Sequence, residues 1–449
     1  MVLILNIIES FIKIFNNSKN EKGLRKMLSS RAITKMQAIA IIAVVIIAAI
    51  VGSLAYYISA PPPPPKKEEI VIGCSIGLTG RYAETGRFCL NGIMLWSEWI
   101  NAQGGIYVKE YGRKLPVRII YYDDKSEKET AVKLYEKLCT EDKVDFTLGP
   151  YASDMVFAAS PISDKYKRIC ISYMGASESI FERGLKYVIG VLTPASLYFD
   201  TTLRMAATLD PKPRTVAILH TTELFSITAA KGAEKIAKEL GFEVVYMEGY
   251  EKDAKDLTPL LSKAKALKAE ILLGATYFPD SVLMVRQCKE IDYNPKIYSL
   301  LIGPLLKDFY DVLGKDAEYV FGSSEWEVGA GYKPDFGPTP KEFAEMHVKR
   351  YGYIPSYHAA AAFAGCLILQ KGIEEAGSLD NDKVRETLGK LKFTTLYGPW
   401  QIDPKTGLQI AHRNVLTQWQ KGKLVVVYPY EIAEAKLLYP TPTWAERAK

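Results

Sequence analysis

Hydrophobic residues follow two different patterns along the chain. Between Lys35 and Lys66 there is no charged residue, and the apolar run 38–58 leads into five prolines at 61–65. About 20 apolar residues are enough to cross a bilayer as a helix, which satisfies its own backbone polar groups there. After Lys66, short apolar runs alternate with amphipathic stretches, as in a globular body. We therefore expect a membrane anchor over 38–58, a proline-rich linker over 59–68 and a globular body beyond.

The residues ahead of the apolar run set its expected orientation. They include seven lysines and arginines but only two glutamates. Because basic flanks stay in the cytoplasm, the leader 1–37 is expected there and the C-terminal body outside the cell membrane. A cleaved secretory signal is the alternative, although such signals carry a shorter apolar run. Two points stay open: Met27 or Met36 could be the true start, and 30–33 resembles a pilin-type signal trimmed after Ala32.

The globular body shows a regular alternation of predicted strands and helices. In its first part, the predicted strands are 70–73, 117–122, 146–148 and 169–172. Between them lie predicted helices at 88–101, at 127–138 and from Ser153 onward. The pattern then restarts, with strands at 215–220, 243–247, 271–273 and 296–300 and helices at 228–240, 257–267 and 280–291. Strands that alternate with helices in this way indicate parallel βαβ units.

Two such series predict an α/β fold of two Rossmann-like, doubly wound lobes. Further helices are expected at 339–351 and 357–376. The region 400–428 is expected to be extended, with turns at 403–407 and 421–423. Without the leader and anchor about 380 residues remain, which is too many for one hydrophobic core and agrees with two lobes.

Composition excludes several classes of function. Most of the excess behind the net charge of +6 lies in the leader, and the body has no basic run with interleaved aromatics, so no nucleic acid partner is expected. The four histidines show no metal-ligand spacing, and no metal or other cofactor is expected. An exported body permits disulfides, but their pairing cannot be read from the sequence. The six cysteines form no C-x-x-C pair and are Cys74, Cys89, Cys139, Cys170, Cys288 and Cys366.

The candidate chemistry lies where predicted strands end. Three corners follow strands of the first lobe, at 78–86, 149–154 and 172–177, and each offers hydroxyls and free backbone N–H groups at the start of a helix. Ligands bind beyond the carboxyl ends of such strands, and these donors suit a carboxylate. Simpler roles exist for the same residues: Ser153 as a helix cap, the glycines as turn residues, and tyrosines such as Tyr277 as core aromatics.

The sequence favours neither a nucleotide-binding site nor an enzyme. Gly73, Gly77 and Gly80 follow a strand, but their spacing differs from G-x-G-x-x-G. There is no G-K-[ST] motif, and no Ser-His-Asp or Cys-His set stands in a suggestive context. We therefore expect a binding protein without enzymatic activity.

The motifs, taken in order, resemble a known family. Together they resemble the leucine/isoleucine/valine-binding proteins, the type I periplasmic solute receptors of ABC importers. The resemblance covers nearly everything after Glu69. The motifs that carry it begin at Ile72 (IGCSIGLTG), Asn101 (NAQGGI), Tyr121 (YYDDKS), Leu148 (LGPYAS), Ile171 (ISYMGAS), Tyr277 (YFPD), Val285 (VRQC) and Tyr357 (YHAAAAF), with 343–351 and 393–403.

The resemblance implies two lobes joined by three crossings near 189–194, 321–326 and 393–400. Lobe 1 would comprise 69–192 and 325–395, and lobe 2 would comprise 193–324 and 396–449. The lobes would close on a small solute by hinge bending.

The resemblance also assigns the ligand-binding residues. The carboxylate-binding serine falls on Ser153, and its partner corner falls on Gly175, Ala176 and Ser177. Ala176 stands where the family has a threonine, so backbone N–H groups and Ser177 would serve instead. The remaining residues are expected to wall the cleft: Tyr82, Thr85, Phe225, Tyr277 and Trp326.

One departure from the family concerns the ligand. Its ammonium-binding glutamate matches Leu301 or Leu305 here, and a buried ammonium needs a paired anion. Asp280 or Glu325 could replace it. An amino acid is therefore the first expectation. Another small carboxylate, an amide or an aromatic acid is the alternative ligand, and a ligand-sensing receptor is the alternative role.

These inferences give one expected function. The chain is expected to be a monomeric solute-binding protein, anchored in the membrane with its body outside the cell. It would deliver its solute to the permease subunits of an ABC importer.

Overall fold

The structure is a computed structural model that describes residues 35–59 and 67–447. The chain divides into two compact units, Met1–Pro64 and Pro65–Lys449. Most of the predicted leader and much of the proline-rich linker lie outside the described residues.

The first unit contains helix α1 (Lys35–Ser59). Its described side chains, those of 41–54, are all exposed. Among the described residues, no helix combines the length and the apolar character needed to cross a membrane. The structure therefore does not show the membrane anchor predicted at 38–58.

The second unit begins with a five-stranded parallel sheet. Its strands run in the order β4-β1-β5-β6-β7, and β2 pairs with β3 in a separate hairpin. The elements in chain order are β1 (Ile70–Ile76), α2 (Ala83–Ala102), β2 (Ile106–Val108), β3 (Arg113–Leu115), β4 (Val117–Asp123), α3 (Lys128–Thr140), β5 (Phe146–Leu148), α4 (Ser153–Lys165), β6 (Cys170–Ser172) and β7 (Val188–Gly190).

A second sheet repeats the same strand order. Its parallel part runs β12-β11-β10-β8-β9, and β15 and β16 extend it in antiparallel pairing beside β12. Its elements are α5 (Asp200–Ala207), β8 (Thr215–Thr221), α6 (Leu224–Glu239), β9 (Glu243–Tyr250), α7 (Thr258–Ala266), β10 (Ile271–Ala275), α8 (Phe278–Glu290), β11 (Ile297–Leu300), α9 (Lys307–Leu313) and β12 (Phe321–Ser324).

The rest of the chain serves both sheets. Helix α11 packs against α2 of the first lobe, whereas β15 and β16 join the second sheet. The remaining elements are α10 (Pro340–Tyr351), α11 (Tyr357–Ala376), α12 (Asn381–Leu388), β13 (Lys392–Thr395), β14 (Gly398–Gln401), β15 (Val415–Gln420), β16 (Lys423–Tyr428) and α13 (Trp444–Arg447). Two α/β lobes are thus present, while the exact lobe boundaries stay predictions.

Most predicted strands and helices occur within a few residues of their expected ends. The largest shift is at α2, which starts at Ala83 instead of 88, so the first corner already belongs to a helix. Short strands were missed, among them β7 and β12, because three or four residues with a glycine carry little periodic signal. All six cysteines are buried and free.

The contact between α2 and α11 depends on a glycine. A Cβ added at Gly92 would overlap the backbone of Ala359 in α11. The two helices can therefore lie this close only while Gly92 has no side chain, and their packing positions the start of α11.

Gly92→Ala should lower the free energy of unfolding by about 1–3 kcal/mol, because overpacking forces the helices apart. Denaturant unfolding would measure this loss. Arg87→Ala, at an exposed position of the same helix, is the matched control and should change stability by less than about 0.5 kcal/mol. Equal stability of the two variants would contradict the inference that the packing of α2 on α11 requires a glycine at position 92.

Candidate functional site

Both sheets change winding direction at the same relative position. In the first sheet β1 lies between β4 and β5, and in the second β8 lies between β9 and β10. Ligands bind beyond the carboxyl ends of strands at such switch points. The segments after β1, β5, β8 and β10 therefore define the candidate site, and they include the predicted residues Tyr82, Ser153, Phe225 and Tyr277.

Aromatic side chains from both lobes meet at these strand ends. The ring centre of Tyr82 lies 5.2 Å from that of Tyr151 and 5.5 Å from that of Tyr277, and the last two are 6.3 Å apart. Phe225 extends the group, at 6.0 Å from Tyr277 and 4.9 Å from Tyr198. We call these five side chains the aromatic cluster. All five are buried, so the cluster is an apolar contact between the lobes.

An arginine next to the aromatic cluster binds carboxylates of the opposite lobe. Arg81 follows β1, and its guanidinium lies 3.0 Å from Glu223 and 2.7 Å from Asp280, both on the second lobe. It also contacts the exposed Asp253 at 3.0 Å. Tyr82 donates its hydroxyl proton to Glu223 across 2.6 Å. We call Arg81, Glu223 and Asp280 the charge clamp, and it joins the two lobes directly.

Burial and neighbouring charges shift the pKa values of two members of the charge clamp, Asp280 and Arg81. Burial raises the pKa of the Asp280 carboxyl above its usual range despite the nearby Arg81 charge, and Glu223 adds to that rise. Burial lowers the pKa of Arg81, but the charges of Asp280 and Glu223 outweigh it and raise that pKa overall. One guanidinium therefore serves two buried carboxylates, which leaves negative charge in excess.

The segments after β5 and β6 that are predicted to hold a carboxylate contact each other in the structure. Ser153 Oγ accepts hydrogen bonds from the backbone N–H groups of Ala176 at 3.1 Å and Ser177 at 3.2 Å. Ser153 is the first residue of α4 and caps no helix, since the N-cap position is Ala152. The Ser177 hydroxyl lies 2.7 Å from that of Thr228 in the second lobe. The hydroxyl of Ser153 thus sits between two strand ends beside the opposite lobe.

The other predicted residues occupy different places. Thr85 is buried in the first turn of α2, and its hydroxyl donates to the carbonyl of Tyr82. Gly175 lies tightly packed in the loop after β6, where a Cβ would meet Ser172 and Val156.

Trp326 has a structural contact at the crossings. Its indole N–H donates to the carbonyl of Leu396 at 2.9 Å, and its ring packs against Phe343. These contacts join the second crossing to the third. In the structure Trp326 therefore contacts the crossings, and its place in the wall of the cleft stays a prediction.

The two acidic residues that could replace the family glutamate, Asp280 and Glu325, have different surroundings in the structure. Leu301 and Leu305 are buried in the hydrophobic core and supply no anion. Glu325 accepts from the backbone N–H of Thr193 at 3.1 Å and lies 3.2 Å from His412 Nε2. Glu325 therefore stabilises the crossings and lies beside Tyr198 of the aromatic cluster, whereas Asp280 belongs to the charge clamp.

Sequence reasoning missed five residues of this site, and one of them is Tyr198 of the aromatic cluster. Arg81 and Tyr151 lie inside corners that were already identified, but their side chains received no role. Glu223 lies two residues after the end of β8. The rule that ligands bind beyond the carboxyl ends of strands, if applied to the second lobe, would have found it. His358, whose ring centre lies 5.6 Å from that of Tyr151, starts a helix far along the chain and gave no local signal. In the described part of the chain, no cluster of His, Cys, Asp and Glu could hold a metal ion.

Comparison with known proteins agrees with this two-lobed site. The family model for periplasmic binding proteins matches residues 69–423. The chain belongs to the periplasmic binding protein family. The predicted resemblance to its leucine/isoleucine/valine-binding members, the type I fold, is confirmed. This family comprises solute-binding receptors of ABC transporters and is not a class of enzymes.

Three similar proteins illustrate the range of the family. The Leu/Ile/Val-binding protein homolog 7 of Brucella suis biovar 1 (strain 1330) is 25% identical over 388 residues, which is 83% of this chain and 94% of that protein. The leucine binding protein LivK of Thermotoga maritima MSB8 superposes with a TM-score of 0.69 at 21% identity, over 81% of this chain and 99% of its own. A solute binding protein of an ABC transporter from Rhodopseudomonas palustris BisB5, solved with 3,4-dihydroxy benzoic acid, gives 0.67 at 18% identity, over 85% and 100%.

The charge clamp of this periplasmic binding protein can be tested by removing its cation. Arg81→Met should favour an open form without ligand, because Glu223 and Asp280 would otherwise stay buried without a cation. Small-angle X-ray scattering should then show a larger radius of gyration than the wild type has.

Arg81→Met combined with Asp280→Asn is the informative second variant. It removes one of the two carboxylates that are left without a cation. The radius of gyration should therefore fall part of the way back to the wild-type value. Arg118→Met, which removes an exposed ion pair with Glu69, is the matched control and should scatter like the wild type. An unchanged radius for Arg81→Met would show that the clamp does not hold the lobes together.

Proposed function

We propose that this chain is an extracytoplasmic solute-binding protein of an ABC importer that binds an amino acid between its lobes. The observation that carries the proposal is the Ser153 corner at the switch point of the first lobe. Its hydroxyl and two backbone amides converge beside the second lobe, which suits a ligand carboxylate.

The hydroxyl of Ser153 is prepared to donate. Because its oxygen accepts from the N–H groups of Ala176 and Ser177, its own proton is polarised and available for an anionic acceptor. The two amides can also donate to that acceptor if the ligand displaces the hydroxyl. A carboxylate gains charge-assisted hydrogen bonds in either arrangement.

The charge clamp supplies what an ammonium group needs. Its two buried carboxylates share a single guanidinium, and the negative excess lies next to Tyr277, which packs against the arginine at 5.4 Å. Asp280 therefore takes the role of the family glutamate that Leu301 or Leu305 replaces. A carboxylate corner in one lobe and an anionic patch on the other match the two ends of an amino acid.

An aromatic acid is the second candidate, and the aromatic cluster favours it. Tyr82, Tyr151, Tyr277 and Phe225 provide ring faces and edges around the same strand ends, and stacked rings attract one another beyond their buried area. The similar protein from Rhodopseudomonas palustris was solved with such an acid. An aromatic acid without an ammonium group would leave the charge clamp unused.

Ser153→Ala should weaken binding at least tenfold, since a hydrogen bond to a charged group contributes about 1.5–3 kcal/mol. Calorimetric titration with the amino acid that most raises the melting temperature would measure it. Ser262→Ala, at an exposed position of α7, is the control and should leave the affinity unchanged. Unchanged affinity of Ser153→Ala would remove this serine from the site. Thermal shifts with aromatic acids alone would favour the second candidate.

We also propose that the apolar run 38–58 tethers the receptor to the cell membrane, near the permease it serves. The support is the absence of charge between Lys35 and Lys66 and the basic residues before it. The receptor is proposed to act as a monomer.

Cell fractionation tests the tether. Deletion of 1–65 should move the protein from the membrane fraction to the soluble fraction, because it removes the apolar run. Deletion of 1–33 alone retains that run and should leave the protein with the membranes. A membrane-bound 1–65 deletion would contradict the proposed tether.

A further inference from the structure

The ring of His358 is buried with no hydrogen-bond partner on either nitrogen. It has no exposed surface, and both Nδ1 and Nε2 lack a partner among the described residues. The other three histidines each keep one contact: His220 Nδ1 with the carbonyl of Thr221, His347 Nδ1 with that of Tyr353, and His412 Nε2 with that of Glu325. His358 is thus the histidine in which both ring nitrogens are unpaired. Because burying unpaired polar atoms is unfavourable, we expect a bound group to supply the partner.

His358 lies beside the aromatic cluster of the candidate site. It is in the first turn of α11, and its ring centre lies 3.9 Å from that of Tyr357 and 5.6 Å from that of Tyr151 in the aromatic cluster. The buried hydroxyl of Tyr277, a neighbour of Tyr151, has no partner either, and the same holds for Ser356 Oγ before α11. The unpaired polar atoms of Tyr277 and His358, one from each lobe, thus lie in and beside the aromatic cluster.

The chemistry of this ring restricts what it can bind. Burial lowers the pKa of His358 to about 3, so the imidazole is neutral at physiological pH. A neutral imidazole offers one N–H donor and one nitrogen acceptor. Its natural complement is a group that can both donate and accept, which describes a hydroxyl or a carboxamide. A methyl group would leave both nitrogens unpaired, so a purely aliphatic side chain fits this position poorly.

We propose that His358 is a specificity-determining residue that hydrogen-bonds a hydroxyl or carboxamide on the side chain of the bound amino acid. This proposal rests on the proposed function and narrows it. The solute is then a polar amino acid instead of leucine, isoleucine or valine. Ser153 and the charge clamp bind the two charged ends that all amino acids share, and His358 reads the side chain.

Near-isosteric pairs of amino acids provide the test. The full-length chain is titrated with threonine and valine, asparagine and leucine, and tyrosine and phenylalanine. In the pair that binds best, the wild type should prefer the polar member at least tenfold, because a site built to bond a hydroxyl or amide rejects the analogue without one. His358→Phe keeps an aromatic ring and should abolish that preference while retaining affinity for the apolar member.

Two further variants keep the test decisive. His358→Asn retains one donor and one acceptor and should keep part of the preference, and it replaces the phenylalanine variant if that one does not fold. His347→Phe changes another buried histidine, outside the site, and should keep the full preference. The proposal is overturned if the wild type binds the apolar members as well as the polar ones, or if His358→Phe still discriminates. Binding of none of these amino acids would overturn this proposal, and the amino-acid function itself would fail only if no other amino acid raised the melting temperature either.

Discussion

The ion pairs of Arg81 are the interaction on which the closed arrangement of this receptor depends. A charge can be buried only with a partner, and Arg81 of the first lobe finds its partners, Glu223 and Asp280, solely on the second. The lobes therefore cannot separate without giving water or another ion to all three groups. The same pairing brings Tyr82 onto Glu223 and completes the aromatic contact. The same contacts therefore close the lobes and bring the residues of the candidate site together.

The crossings supply the complementary constraint. Glu325 of the second crossing binds Thr193 of the first and approaches His412, and Trp326 donates to Leu396 of the third. These groups are fully or almost fully buried, so they fix the three chain segments against one another. Rotation between the lobes must then occur around this bonded bundle of crossings. A rigid joint and a separable clamp together suit a receptor that opens and closes on a solute.

Specificity in such a site is divided between shared and individual contacts. In the proposed function, the hydroxyl of Ser153 and the excess negative charge at Asp280 bind the two charged groups that every amino acid carries. The aromatic cluster excludes water, which strengthens these polar contacts. His358 differs from these residues, because its neutral ring lies next to Tyr151 and neither ring nitrogen has a hydrogen-bond partner. Relatives at 25% identity or less can therefore share the fold and still take different solutes.

The sequence by itself determined the α/β architecture, because the alternation of apolar strands and amphipathic helices is a local property of the chain. It also located the corners at Tyr82 and Ser153, since parallel strands bring their carboxyl ends to one edge. The tertiary structure alone decided which charges meet. Arg81 and Asp280 are 199 residues apart, and no periodicity reports their pairing. It likewise showed that Glu325 and Trp326 secure the crossings and that His358 lacks a partner, because burial and hydrogen bonding depend on distant segments packing together.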